Sequence, residues 1–215
     1  NGAEFLDWYI HTLLPTGINY FKKHFDFSAA ASEAIIKEHV QLCYDVCHFA
    51  IGFEDHKTYL KQLEEAGIKV GKLQISAALK AILPTDQIAK ENVLEALSQF
   101  NEPVYLHQVV CRTGAGNLLR YRDLPEALED QNALASKEWR AHFHVPIFNA
   151  TYEQVESTQQ DIIDVLQRQC SQPFTQHLEV ETYTWEVLQP HLKIPLTASI
   201  IRELQWVQAQ LVKGI

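Results

Sequence analysis

Apolar residues recur at helical spacing from Glu4 to Leu14, where Phe5, Trp8, Tyr9 and Leu13 share a face. Pro15-Thr16-Gly17 is expected to stop that helix. Ser28 is placed to cap a second one, Ala29 to Glu38. The compact run His39 to His48 reads as a buried strand. Phe53 to Glu65 is amphipathic and helical, closed by Ala66-Gly67. Ile68 to Ser76 alternates apolar and polar residues like a strand, and Thr85 to Phe100 is helical with a Thr or Asp start. Val104 to Arg112 and Asn117 to Leu124 flank Thr113-Gly114-Ala115-Gly116, which predicts a hairpin. Trp139 to Phe148 reads as a strand, Glu153 to Gln169 as a helix, and His177 to Thr184 as a strand. Ala198 to Lys213 is a closing amphipathic helix.

Helices alternating with strands predict parallel strands joined by crossover helices. Leu42 to His48, Val70 to Ser76 and Leu178 to Tyr183 all carry polar groups near their C-terminal ends. In a TIM (β/α)8 barrel those ends form the active mouth, and a complete barrel takes about 250 residues. With only three or four barrel strands in sight, residues 1–215 are expected to be one domain, the C-terminal half of such a barrel. They would supply about strands six to eight, with a β-hairpin insertion at about 103–125. The chain opens at Asn1 and contains no Met, so further residues are expected upstream. An open half-barrel would expose strand edges and apolar surface. The expected partner is therefore the upstream half of the same barrel, or a second copy through self-association.

Composition narrows the classes. A net charge of −9, with 27 acids against 18 bases, argues against nucleic acid and against membrane-surface binding. No apolar run is long enough to cross a bilayer, so no membrane insertion is expected. Cys43, Cys47, Cys111 and Cys170 form no CxxC and are too sparse for a disulfide scaffold. Reduced thiols in a cytoplasmic protein are the expectation.

Several residues stand out chemically. Asp45 interrupts an apolar run, and a carboxylate there costs several kcal/mol unless paired or bound to a cation. With His48 it forms a metal-binding pair, a structural Asp–His hydrogen bond, or a polar pair that caps the next helix. His142-Phe143-His144 on a strand puts both imidazoles on one face. Either both bind a metal, or one orients a carboxylate. Glu179 and Glu181 share a face with His177 and Tyr183, an acidic surface unless a cation or proton intervenes. Glu181 is the better ligand, and Glu179 a base or a group that orients a ligand from behind. The candidate metal set is thus Asp45, His48, His144 and Glu181, around one or two divalent ions, zinc or manganese. Lys72, Glu179 and His142 are the candidate catalytic groups, and Gln74, His107 and Arg112 the candidates to meet substrate. Arg120 and Arg122 share a hairpin face, a solvated surface or an anion contact. Cys43, Asp45 and Cys47, spread along a strand, would be too far apart for one tetrahedral ion, which leaves the cysteines as buried free thiols.

These residues resemble the xylose-isomerase-like barrel superfamily. Leu42-Cys43-Tyr44-Asp45-Val46-Cys47-His48 is similar to the strand-six motif of endonuclease IV, Leu-Asp-Thr-Cys-His, and the resemblance implies metal-binding roles for Asp45 and His48. The family's Asp-Arg-His after strand seven resembles His142-Phe143-His144, with His in place of Asp. Its final-strand Glu corresponds to Glu181 in Val180-Glu181-Thr182. Its strand-seven His is matched here by Gln74, so one or two ions are implied rather than a three-zinc centre. A closer likeness runs along nearly the whole chain. KLQISAALKA, EPVYLHQVV, HFHVPIF, HLEVETYTW and IIRELQWV resemble, in order, the metabolite traffic protein EboE family. That likeness implies a cytoplasmic sugar-isomerase-like barrel acting on a small-molecule metabolite. Its rivals are a non-catalytic barrel that binds and hands over the metabolite, and a phosphodiesterase of the AP-endonuclease type.

Overall fold

The computed structural model describes residues 1–181 and 193–213, with no side-chain description at Lys213. Its first feature departs from expectation. Helix α1 (Gly2–Trp8) passes through a π-helical turn, Tyr9–Leu13, straight into α2 (Leu14–Phe25), so Pro15 does not end the helix. The Leu14 N–H reaches back five residues to the Tyr9 carbonyl. That widened turn accommodates a proline, which brings no N–H of its own. Helix α3 (Ala29–His39) follows, capped by the Ser28 side chain as the sequence predicts.

Strand β1 is only Leu42–Asp45. Asp45 Oδ1 accepts the Cys47 N–H at 3.0 Å and turns the chain into α4 (Val46–Ile51). His48 therefore sits on a helix, not at the end of a strand, and the helix-cap reading of Asp45 is realised. Helix α5 (His56–Glu65) ends at Gly67, whose φ of 65° no β-carbon has to share. Strand β2 (Val70–Ile75) is separated by Ser76 alone from β3 (Ala77–Ile82). Then come α6 (Gln87–Ser98), β4 (Val109–Arg112), β5 (Leu118–Tyr121), α7 (Leu124–Glu129) and α8 (Gln131–Leu134). Strand β6 (Glu138–Val145), β7 (Thr151–Tyr152), β8 (Val155–Ser157), α9 (Gln159–Ser171), β9 (Leu178–Val180) and α10 (Leu196–Lys213) complete the described chain.

Two sheets result. Strands β1, β2 and β9 lie side by side and parallel, with Tyr44 level with Leu73 and Leu178, and Asp45 level with Gln74 and Glu179. Tyr44, Leu73 and Ile75 face the core, whereas Cys43, Lys72, Gln74 and Glu179 form a polar, partly exposed opposite face. The second sheet is antiparallel, in the order β5-β4-β6-β3-β8-β7. The molecule is thus mixed α/β, and among the described residues the strands close no barrel. The hairpin expected at about 103–125 is part of a larger antiparallel sheet, which draws on residues from Ala77 to Ser157.

Sequence periodicity misses β3 because Ala77, Ala78, Leu79 and Ala81 are all buried and leave no alternation to read. It also carries the helix of α9 too far upstream. Tyr152 and Val155 pair across a tight turn in which Glu153 takes φ 52°, and the helix starts only at Gln159. The hairpin turn at Thr113–Asn117 forms as expected, with Thr113 N–H donating to the Asn117 carbonyl at 2.9 Å. The far end of that predicted strand is instead α7, because Asp123 caps Leu124. Among the described residues no helix is long and apolar enough to cross a membrane.

Candidate metal centre

Alternation along β6 sets Trp139, Ala141, Phe143 and Val145 into the core and turns Glu138, Arg140, His142 and His144 to the other face. Helix α4 lies across that polar face. Arg140 Nη1 donates to the Ala50 carbonyl at 2.6 Å, and the His48 ring meets the His142 ring edge-on at 4.6 Å between centroids. The first turn of α4 thereby delivers Cys47 to the histidines. The ligand atoms of Cys47, His142 and His144 all lie within 4.8 Å of one another.

Carboxylates border this cluster on the parallel-sheet side. Asp45 Oδ1 accepts Ser76 Oγ–H at 2.9 Å besides the Cys47 N–H, and its Oδ2 accepts Gln74 Nε2–H at 2.9 Å. The same Gln74 amide donates to Glu181 Oε2 at 2.6 Å, so one side chain bridges the two acids. Glu181 Oε2 is also 3.6 Å from His144 Nδ1, and His48 Nε2 is 3.7 Å from Asp45 Oδ2. Segments from α4, β2, β6 and the end of β9 thus converge on one spot.

The electrostatics suit a cation site. Burial, reinforced by neighbouring His48, pushes the His142 imidazole down to about 4. Burial and then His142 push His144 down to about 3. Both rings are neutral at pH 7, the state in which imidazole binds a metal. Their Nε2 atoms are 3.1 Å apart, one ring donating and the other accepting. Two nitrogens bound at about 2.1 Å to one ion lie at roughly that separation. Burial, with Asp45 beside it, raises the Glu181 carboxyl above its ordinary range, and burial raises the Cys47 thiol well above its own. The donor set present fits a divalent transition ion.

The remaining expected residues fall elsewhere. Lys72 Nζ pairs with Glu179 Oε2 at 3.0 Å on the exposed part of the polar face, one step down the strands from Gln74. His107 is buried against Phe143, its Nδ1 3.3 Å from the His142 carbonyl. Its Nε2 is 3.0 Å from Glu102 Oε1, an approach too poorly angled to count as a hydrogen bond. Arg112 pairs with Glu138 and stacks over Phe53, at the opposite end of the β6 face from His144. The thiols are free, but Cys43 is exposed rather than buried, and Cys47 is no bystander. Tyr183 and Thr182 lie outside the described residues. Sequence reasoning rejects Cys47 as a ligand by placing it on a strand, and passes over Ser76 and Arg140. The signal available for Cys47 was Asp45 itself, since a helix cap there rotates the cysteine off the strand.

Comparison with known protein families, with curated proteins and with solved structures finds no match. The family likeness drawn from the motifs therefore remains an expectation.

Proposed function

We propose that the chain carries the metal-dependent active mouth of a cytoplasmic sugar-isomerase-like protein, an isomerase or epimerase of a small polyhydroxylated metabolite. The observation that carries this reading is the meeting of His48, His142, His144, Asp45 and Glu181 from segments far apart in sequence. The resemblance of its motifs to those of the EboE and xylose-isomerase-like families is the support from the sequence side. A bound zinc or manganese ion would polarise a carbonyl or hydroxyl oxygen. Glu181, with its raised proton affinity and its place between Gln74 and His144, is the group to take and return the substrate proton. Gln74 holds that carboxylate in place while still anchoring Asp45. The polar face bearing Cys43, Lys72 and Glu179, open among the described residues, is completed in this reading by strands of an upstream half or of a second copy.

The test is metal analysis of the purified protein together with isomerisation and epimerisation assays on aldoses and ketoses. Turnover should require a divalent ion and fall at least about 100-fold in Glu181→Gln, the scale of a lost general base. A protein that neither contains nor takes up a divalent ion ends the proposal.

A further inference from the structure

We propose that Cys47 is a protein ligand of this centre, so that the ion is held by one thiolate and two imidazoles, Cys47, His142 and His144, and not by Asp45. The inference rests on the metal reading above and changes its ligand set. Cys47, His142 and His144 are the group, among the described residues, whose donor atoms all lie within 4.8 Å of one another. Asp45, by contrast, has both oxygens engaged: Oδ1 by the Cys47 N–H and Ser76, Oδ2 by Gln74. Those bonds make Asp45 the group that sets the position of Cys47, since the cap fixes the first turn of α4. Glu181 is likewise held by the Gln74 amide. His48 lies with more than half of its side chain exposed, at the rim.

The fold explains how the thiol arrives there. Cys47 is wholly buried on the inner side of α4, in a small apolar group with Ile51, Ala78 and Val110. Its neighbours at the polar end of that group are the two imidazoles of β6. A helix thus supplies sulfur to a strand face that supplies two nitrogens.

A soft thiolate with two imidazoles favours zinc over manganese. Three protein ligands leave the fourth tetrahedral position to water or to a substrate oxygen, the pattern of a catalytic rather than a structural zinc site. The bookkeeping of protons is simple: the Cys47 S–H bond breaks, its proton passes to solvent, and the sulfur lone pair forms the bond to the ion. No electron is transferred.

The experiment is Co2+ titration of the metal-free protein, read by absorbance, with zinc-edge X-ray absorption of the zinc-loaded protein alongside. Expected are a near-ultraviolet thiolate-to-cobalt band with strong visible bands, and one sulfur at about 2.3 Å from zinc. Cys47→Ser should lose the near-ultraviolet band and bind Co2+ at least about tenfold more weakly. Asp45→Asn, which preserves the helix cap, should keep the band. Co2+ or zinc bound with no thiolate band and no sulfur neighbour overturns this inference and leaves the metal reading standing. No binding of either ion overturns both. The absorption measurement is made on the unaltered protein, so a misfolded Cys47→Ser cannot mask the answer.

Discussion

Glu203 on α10 is a buried acid outside the metal cluster. Its Oε1 accepts the Ile147 N–H at 3.2 Å, and its Oε2 has no hydrogen-bond partner among the described residues. Burial raises its carboxyl to about 7. A glutamate in the unfolded chain titrates near 4.3, so between these values the native state holds a proton that the unfolded state has released. Its contribution to stability is full below about pH 4 and is lost as pH rises through about 7. The loss is on the order of 3 kcal/mol. Urea unfolding from pH 5 to 8 should show this decline, and Glu203→Gln should flatten it. An identical pH slope in the two proteins would mean that Glu203 is not the group responsible. His142 and His144 act at the other end of the scale. Their depressed proton affinities mean that the unfolded chain takes up protons first, so stability falls as pH drops below about 6.5 toward 4. Replacing both by Gln should remove much of that acid sensitivity, as read from denaturation midpoints between pH 4 and 7.

At the level of elements, the geometry of the centre depends on how α4 is fixed across β6. Arg140 does most of the fixing. Its guanidinium donates to the Ala50 carbonyl at the end of α4, to Glu138 Oε1 at 2.9 Å and to Asp161 Oδ1 at 3.3 Å, and it covers the Phe53 ring at 4.3 Å. Asp161 in turn bonds His56, whose other nitrogen meets the Tyr44 hydroxyl at 2.7 Å, which ties α5, α9 and β1 into the same network. Arg140→Met should remove the cation that Glu138 and Asp161 share, leaving Glu138 to Arg112 and Asp161 to His56, and cost about 2–3 kcal/mol. Where the variant still folds, Co2+ affinity should fall as α4 loosens; unchanged melting and unchanged affinity would show that the clamp is incidental. This clamp was not legible in the sequence, because an arginine inside a strand gives no hint of which helix it will hold. Local signals did better. The caps at Ser28 and Asp86 and the glycine stop at Gly67 are where turn and cap chemistry puts them. Pro15 misled because a π-turn absorbed it, and β3 was silent because Ala77, Ala78, Leu79 and Ala81 are all buried and show no alternation.

For the whole molecule, β1, β2 and β9 were legible as parallel strands with helical crossovers, and the structure makes them neighbours in one parallel sheet. What alternation cannot reveal is where the sheet ends: among the described residues no further strand pairs with β1 or β9. In a parallel sheet both faces are normally covered. Here one face packs on the core, while the other presents Cys43, the Lys72–Glu179 pair and Gln74. Trp8, Tyr20, Phe25 and Phe27 add exposed aromatic surface on and just beyond the N-terminal helices. Edges unpaired among the described residues and apolar surface of this kind favour association. If the completing strands come from a second copy, the protein should sediment as a dimer or larger at micromolar concentration and dissociate on dilution. Cys43 then becomes a reporter, because it lies on the face to be covered: its alkylation rate should drop several-fold as protein concentration rises, while that of buried Cys111 stays low throughout. A monomer at every concentration, with Cys43 reacting at one constant rate, would rule out completion of the sheet by a second copy.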